Sequence, residues 1–298
     1  MTRIVHCAAC AKFNLGLQVL EKLNDGYHKI RTVYQSIALR DLLTFEEADS
    51  LSLFCSDPNL PSGDENLVMR AAKEMTGFLS LPPRGARISL TKRIPVQAGL
   101  GGGSTDAAVT LLGLNELWGL GLSPRDLLPV AARLGSDVPF FLFGGTALGV
   151  GHGEEVYPLP DAPQTFILVI PGEEGMSTSE AYRRIDERLT AVERENRILP
   201  IVEAVVRGSL NVEDLFNDFE EVQTRNTRWD SILRRYSAPG GNAKFLMAGS
   251  GSAMVLLLRE KAEAERALRS IRDRGGRAVL TRTLTRHDYW ELTQPERE

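Results

Sequence analysis

The 298-residue chain has little cysteine, little histidine and no excess of positive charge. Its three cysteines, an odd number, cannot all pair internally, which argues against a disulfide framework and for a reducing compartment. Lysine and arginine total 35 against 39 acidic residues and are scattered, so the basic stripe of a nucleic-acid surface is missing. Long apolar runs are absent too. Val138–Phe143 and Met254–Leu258 fall far short of the roughly 20 residues needed to cross a bilayer. The first residues, MTRIVHCAACAKFN, lack the apolar core and cleavage site of a signal peptide. A cytoplasmic protein without nucleic-acid or membrane partners, monomeric or homodimeric, is expected. The remaining composition, 43% hydrophobic and 25% charged, is that of a soluble chain. Its length suffices for two cores of about 150 residues each.

Cys7 and Cys10 form a C-x-x-C, but the alternation that follows (Phe13, Leu15, Leu17, Val19) predicts a β-strand. On a strand the two thiols point to opposite faces and chelate poorly. A zinc site needs two more ligands, and Cys55 and His6 stand at no standard spacing. Buried small residues are the expected role.

Strand-like and helical segments alternate through the first half. Ala11–Leu20 and Tyr27–Leu39 flank the turn signal Asn24-Asp25-Gly26, with short strands at Leu42–Phe45, Leu51–Phe54 and Arg87–Lys92. Ser62-Gly63-Asp64-Glu65 reads as a capping box opening a helix through Met75. Ala107–Trp118 has helical spacing, and Ser123-Pro124 reads as N-cap and first-turn proline of a helix ending near Leu134. VPFFLFGGTALGVG reads as two buried strands joined at Gly144-Gly145. PLPDAP (158–163) is the candidate boundary, dividing the chain into 1–160 and 161–298. Beyond it come a strand at Phe166–Ile170, a charged helix from Ser179 to Arg194 and helical segments to Arg235. KFLMAGSGSAMVLLL then reads as strand, glycine turn, strand, KAEAERALRSIRDRG as an amphipathic helix and RAVLTRTLT as a last strand. Such mixing, with hairpins, predicts an α+β fold.

The densest signal is PVQAGLGGGSTDAA, from Pro95 to Ala108. It lacks the lysine of a P-loop, since Gly103 stands there, and the third glycine of the dinucleotide pattern, since Ser104 stands there. If Ser104 or Thr105 caps a helix starting near Asp106, the loop lies against a helix N-terminus, a place that favours anions. Glycines let backbone N–H groups reach phosphate oxygens, and such a nest needs no lysine. A mobile surface turn with an ordinary N-cap fits the composition equally well. Two further segments bear on the choice. AGSGSA (248–253) is a second small-residue turn between apolar strands. AKFNLGL (11–17) puts Lys12 and Asn14 on one face of a strand, either at a site or on the solvent face of an edge.

These three segments, in this order, resemble the GHMP kinase superfamily. The blocks LNDGYHKI, LGSDVPFFLFGGTALGVGHGEE, IPGEEGMSTSEAY and NDFEEV resemble, more specifically, those members that phosphorylate a cytidine diphosphate alcohol. The resemblance spans nearly the whole chain. It implies an N-terminal α+β nucleotide domain, a C-terminal ferredoxin-like domain and an active site between them. ATP phosphates would lie on Pro95 and Gly99–Ser104 (Gly99, Leu100, Gly101, Gly102, Gly103, Ser104), with Thr105 beside them. The γ-phosphoryl group would pass to the 2-hydroxyl of a diphosphocytidyl-methylerythritol. Asp137 matches the catalytic base and Lys12 the lysine paired with it, while Asn14 would orient the substrate. Tyr27 and His28 match the positions that hold the cytosine, Tyr182 stands where an aromatic covers its other face, and Thr178 is nearby. Gly249, Ser250 and Gly251 form the second glycine turn. Without the resemblance, Tyr27 is a strand aromatic, His28 one of four histidines and Asp137 a turn acid.

Some positions depart from the pattern. Ala9-Cys10 stand where a proline is usual, His152 replaces a different side chain, and the terminal turn reads AGSGSA. The loop lacks the acid that some related kinases use on Mg2+, leaving phosphates, water and Ser104 as the expected ligands. The alternatives are a superfamily kinase for homoserine, mevalonate or a sugar, and a non-catalytic binding protein on the same fold.

Overall fold

The computed structural model describes residues 3–78, 84–172, 178–187, 195–221 and 243–297. The first sheet is built on a long hairpin, β1 (Ile4–Lys22) and β2 (His28–Ala48), closed by the Asn24-Asp25-Gly26 turn with Gly26 at φ 87°. The predicted strands at 27–39 and 42–45 are thus one continuous strand. Around the hairpin stand β3 (Leu51–Cys55), β4 (Gly85–Thr91), β5 (Thr146–Val150) and β6 (Glu155–Pro158). The sheet runs β1-β2-β4-β3, with β5 also on β2, β6 on β5, and β8 (Phe216–Asn217) on β1. Strand β12 (Glu296–Arg297) returns the C-terminal end of the chain to this sheet.

Helices α1 (Leu67–Phe78), α2 (Gly102–Leu117) and α3 (Pro124–Leu134) cover one face. Helix α1 starts after Asn66, whose Oδ1 accepts from the Val68 N–H at 3.0 Å, so the expected cap at Ser62 is displaced by four residues. Helix α3 begins as expected, with a reciprocal Ser123–Asp126 capping box and Pro124 in its first turn. VPFF is not a strand. Pro139, with no N–H for a ladder, opens a 3-10 turn over Pro139–Leu142.

The second sheet is antiparallel, in the order β11-β7-β10-β9, from β7 (Phe166–Ile170), β9 (Ala243–Met247), β10 (Met254–Leu258) and β11 (Val279–Arg282). Helices α4 (Thr178–Asp186) and α5 (Ile198–Val206) lie between β7 and β9 in sequence, and α6 (Lys261–Arg272) between β10 and β11. Strands and helices mixed in this way keep the α+β character expected. The expected helix over 187–194 lies largely, and the segments over 222–235 lie wholly, outside the described residues. Helix α7 (Arg286–Thr293), which periodicity did not reveal, packs back on β1.

The sheets change between Pro158 and Phe166, around the predicted boundary, and one apolar cluster joins them. Ala11, Phe13 and Leu15 of β1 pack with Ile167, Val169 and Val255, whereas Val5, Cys7 and Ala9 pack with the residues beneath the helices. Odd residues therefore switch sides along β1. The switch coincides with a register shift between Cys10 and Lys12: their partners are Arg40 and Ser36, so three residues of β2 stand opposite Ala11 alone. A bulge of this kind re-aims the side chains that follow it. Cys7 and Cys10 are both buried, and burial pushes each thiol up to about 12, so both stay protonated. Among the described residues no metal-binding cluster contains them.

Candidate active site

Beyond this bulge Lys12 and Asn14 face inward; they are 3% and 1% exposed, not on the solvent face of an edge. Lys12 Nζ lies 3.2 Å from Asp137 Oδ2 and donates to Asn14 Oδ1 at 3.0 Å. Asn14 Nδ2 donates to Thr32 Oγ1 at 2.6 Å, and that hydroxyl donates to the Gly16 carbonyl at 2.7 Å. The chain of hydrogen bonds fixes both side chains in one geometry. Asp137, just before the Pro139 turn, also accepts from the buried Tyr34 hydroxyl at 3.0 Å. Burial first, and the Asp137 charge second, push the Tyr34 phenol well above its ordinary range, so it remains a donor. Tyr34, missed in the sequence, faces Asn14 across the β1–β2 ladder. Only a strand register could have pointed to it.

The glycine loop runs directly into helix α2, which begins at Gly102 rather than near Asp106. Its N-cap is Gly101 in the left-handed conformation, φ 70°, with no side-chain cap from Ser104 or Thr105. The first intrahelical donor to reach back is the Thr105 N–H, to the Gly101 carbonyl at 2.8 Å. The N–H groups of Gly102, Gly103 and Ser104 are therefore left for a ligand, at the positive end of a 16-residue helix. At Gly99 and Gly101 the cradle has no room for a side chain. A Cβ on Gly101 would meet Phe141 Cζ at 2.7 Å and Lys12 Cγ at 3.1 Å. One on Gly99 would fall 1.8 Å from the Ala248 carbonyl oxygen.

That last contact joins the two glycine turns. Ala253 N donates to the Ala98 carbonyl at 3.2 Å, and Gly249 stands with its Cβ position 2.8 Å from the Gly99 carbonyl oxygen. The NDFEEV block, quoted above without a role, holds the second turn. Asn217 Nδ2 donates to the carbonyls of Met247 and Gly249 at 2.8 and 2.7 Å, and Asp218 Oδ2 accepts from Val19 N at 3.0 Å. Behind the cradle, Lys92 Nζ bridges Asp41 and Asp106 in a buried triad, and Asp41 also accepts from the Arg93 and Ile94 N–H groups. This ties the strand before the loop to the first turns of α2.

At the other end, Tyr27 is 66% exposed on the hairpin turn and its ring meets His152 at 5.3 Å. His28 is buried, with Nε2 2.5 Å from Asp186 Oδ1, and the Tyr182 ring stacks on it at 4.6 Å and 17°. Tyr182 thus rests on His28 itself. A cavity of about 830 Å³ unites the two ends. Its walls include Lys12, Asn14 and Asp137; Gly99 and Gly101; Gly249, Ser250 and Gly251; and Tyr27, His28 and Tyr182. That volume suits a substrate-sized ligand, which typically needs about 300–1,000 Å³. Leu100 is core, and the Thr105 hydroxyl is buried without a partner among the described residues. Pro95 is outside the cavity wall, and the Thr178 side chain is outside the described residues.

For magnesium, the described residues offer no group of three or more acidic, histidine or cysteine side chains. Asp137, 30% exposed, and the half-buried Ser104 in the first turn of α2 are candidate oxygen ligands. This set fits an ion carried on the substrate phosphates, since Mg2+ commonly takes one or two protein oxygens and keeps its waters.

The GHMP kinases N-terminal domain profile matches residues 66–145, from α1 through the cradle to the start of β5. The 4-diphosphocytidyl-2-C-methyl-D-erythritol kinase of Moorella thermoacetica is 39% identical over 281 residues, covering 93% of this chain and 98% of that protein. The chain belongs to that kinase family. The family's Solibacter usitatus member is 40% identical over 275 residues, 90% of this chain and 85% of its own. Among solved structures, a 4-(cytidine 5'-diphospho)-2C-methyl-D-erythritol kinase superposes with a TM-score of 0.75 at 35% identity, over 93% of this chain and 98% of that one. A homoserine kinase from Cytophaga hutchinsonii, at 16% identity and a TM-score of 0.73 over 99% and 97% of the two chains, shares the fold alone. The described residues contain no helix long and apolar enough to cross a membrane.

Proposed function

We propose that this chain transfers the γ-phosphoryl group of ATP to the 2-hydroxyl of 4-diphosphocytidyl-2-C-methyl-D-erythritol, giving the 2-phosphate and ADP for isoprenoid precursor synthesis in the cytoplasm. The observation that carries the reading is one cavity with the Lys12–Asp137 pair and the glycine cradle at one end and the Tyr27–His28 corner at the other. The substrate for which the family is named has matching parts: a hydroxyl to phosphorylate and a cytosine to hold.

ATP phosphates rest on residues 99–104, against the free N–H groups of α2, with Gly249–Gly251 closing the other side. The first unit (1–160) supplies the cradle and the second (161–298) Tyr182 and the closing turn. Asp137 accepts the proton of the attacking hydroxyl. Its two oxygens are oriented by Lys12 and Tyr34, so one lone pair can be aimed at the substrate. Lys12 stays beside the transferred group as charge shifts onto the phosphate oxygens. Asn14, locked by Thr32, positions the alcohol. Phosphoryl transfer passes through a loose transition state, so placement and charge neutralisation carry most of the catalysis. Ser104 and Asp137 would hold a magnesium ion, which would supply further neutralisation of the triphosphate.

A coupled ADP-release assay offering the diphosphocytidyl alcohol, homoserine and mevalonate separately tests the proposal. Turnover with the first is expected. Turnover confined to homoserine or mevalonate would reassign the substrate, and none with any would leave a binding protein.

A further inference from the structure

His28 reaches the cavity already tethered on its far side. Its Nε2 is bonded to Asp186 Oδ1, while Lys22 Nζ holds the other carboxylate oxygen, Oδ2, at 2.8 Å. Tyr182, one turn earlier on α4, covers the face of the imidazole. Edge and face of the ring are both fixed. Burial opposes the charge on Asp186, but the hydrogen bonds from Lys22 and His28 hold its carboxyl below the ordinary range. It is a carboxylate, and a carboxylate accepts hydrogen bonds without donating any. The Nε2 atom therefore carries the proton of this bond. In the neutral ring Nδ1 is then a lone-pair acceptor. That atom makes no hydrogen bond among the described residues and is not sealed off from the cavity His28 lines.

We propose that Asp186, oriented by Lys22, is a positioning residue that sets the His28 tautomer and thereby makes the site select cytosine over uracil. The inference rests on the reading above, in which His28 meets the base. The two bases differ at position 4, where cytosine carries an amino group that donates and uracil a carbonyl that accepts. An acceptor Nδ1 pairs with the first and repels the second.

Asp186→Asn is the diagnostic change. Lys22 can only donate, so it holds the asparagine carbonyl oxygen, and the amide NH2 turns to His28. Facing an NH2, Nε2 must accept, the proton moves to Nδ1, and the edge shown to the base is inverted. Asp186→Glu keeps a carboxylate and with it the original tautomer.

The test compares kcat/KM for the diphosphocytidyl alcohol and its diphosphouridyl analogue in the wild type and both variants. Long-range 1H–15N NMR reads the His28 tautomer, its signals assigned by their loss in His28→Gln. The wild type is expected to favour cytidine by roughly tenfold or more, carried by a hydrogen bond the wrong base cannot make. Asp186→Asn should cut that ratio about tenfold, mainly through KM, and move the proton to Nδ1. Asp186→Glu should keep both the ratio and the Nε2–H form. An unchanged ratio in Asp186→Asn, or an unchanged tautomer, overturns the inference while wild-type turnover leaves the function standing. Absence of wild-type turnover of the cytidine substrate overturns the function and the inference with it.

Discussion

Replacing Lys12 by methionine removes the ammonium and keeps a side chain of similar reach. In the native site that ammonium is 3.2 Å from Asp137 Oδ2, with the lysine side chain 4% exposed and the aspartate 30%. At this separation the attraction is about 5 kcal/mol for an effective dielectric near 20, and about 1 kcal/mol in bulk water. Partial exposure of Asp137 places the working value between those limits, at roughly 3 kcal/mol. In the proposed mechanism the same ammonium faces charge building on the transferred group, so a similar amount is lost from the transition state. At about 1.4 kcal/mol per decade, kcat should fall roughly 10²-fold. Removal of one preorganised donor in other enzymes has a comparable effect, about 10²–10³. The assay is ADP release at saturating ATP and diphosphocytidyl alcohol, with affinity for a non-hydrolysable ATP analogue measured by calorimetry. Affinity should change less than about threefold, under 1 kcal/mol. Retention of more than about a third of wild-type kcat would refute the assignment, since it corresponds to less than 1 kcal/mol. A parallel loss of analogue affinity would move Lys12 from transition-state stabilisation to nucleotide binding.

Gly99→Ala places a Cβ 1.8 Å from the Ala248 carbonyl at φ 75°, so the two glycine turns must part. Left-handed backbone costs an alanine about 1–2 kcal/mol before that displacement, and KM for ATP should rise about tenfold or more. An unaltered KM would show that the turns do not shape the nucleotide site. Tyr27→Ala should weaken the cytidine substrate by about 1–3 kcal/mol, as for other base–aromatic stacks, and leave ATP affinity alone. A fall in ATP affinity instead would reverse the division of the cavity. Asp106 offers a pH test. Burial, reinforced by Asp41 and opposed by Lys92, pushes its carboxyl up to about 7. The native state then keeps a proton that the unfolded chain has lost, so this stability is fully present below about pH 4 and disappears as pH rises through about 7. Urea midpoints of Asp106→Asn should therefore gain on the wild type from pH 4 to 8; parallel curves would contradict the shift.

The α+β character, most strands and the Ser123 cap were legible because each depends on local periodicity or a turn residue. The site was legible in its parts: Gly99 and Gly101 of the glycine loop line one cavity with Lys12, Asn14, Asp137, Tyr27, His28 and Tyr182. What joins them was not. Sequence alternation placed Lys12 and Asn14 on one face of a strand, but the bulge opposite Ala11, where β2 carries the extra residues and that face becomes interior, is a property of pairing. Tyr34, Thr32 and Asp186 act across strands or between the two units, at separations no local pattern encodes. The start of α2 was misplaced because Ser104 and Thr105 have the chemistry of caps. Gly101 in the left-handed conformation does that work and leaves the N–H groups of residues 102–104 open. Pro139 likewise turned an apolar run that reads as strand into a 3-10 turn, which sets Asp137 at its edge.

The central claim is that Asp137 accepts the substrate proton within the Lys12 pair. A single-turnover quench-flow measurement on Asp137→Asn, with both substrates prebound, tests it most directly. Substrate binding should persist while the rate of phosphoryl transfer falls roughly 10²–10⁴-fold, the usual share of a general base. Transfer at the wild-type rate would contradict the account.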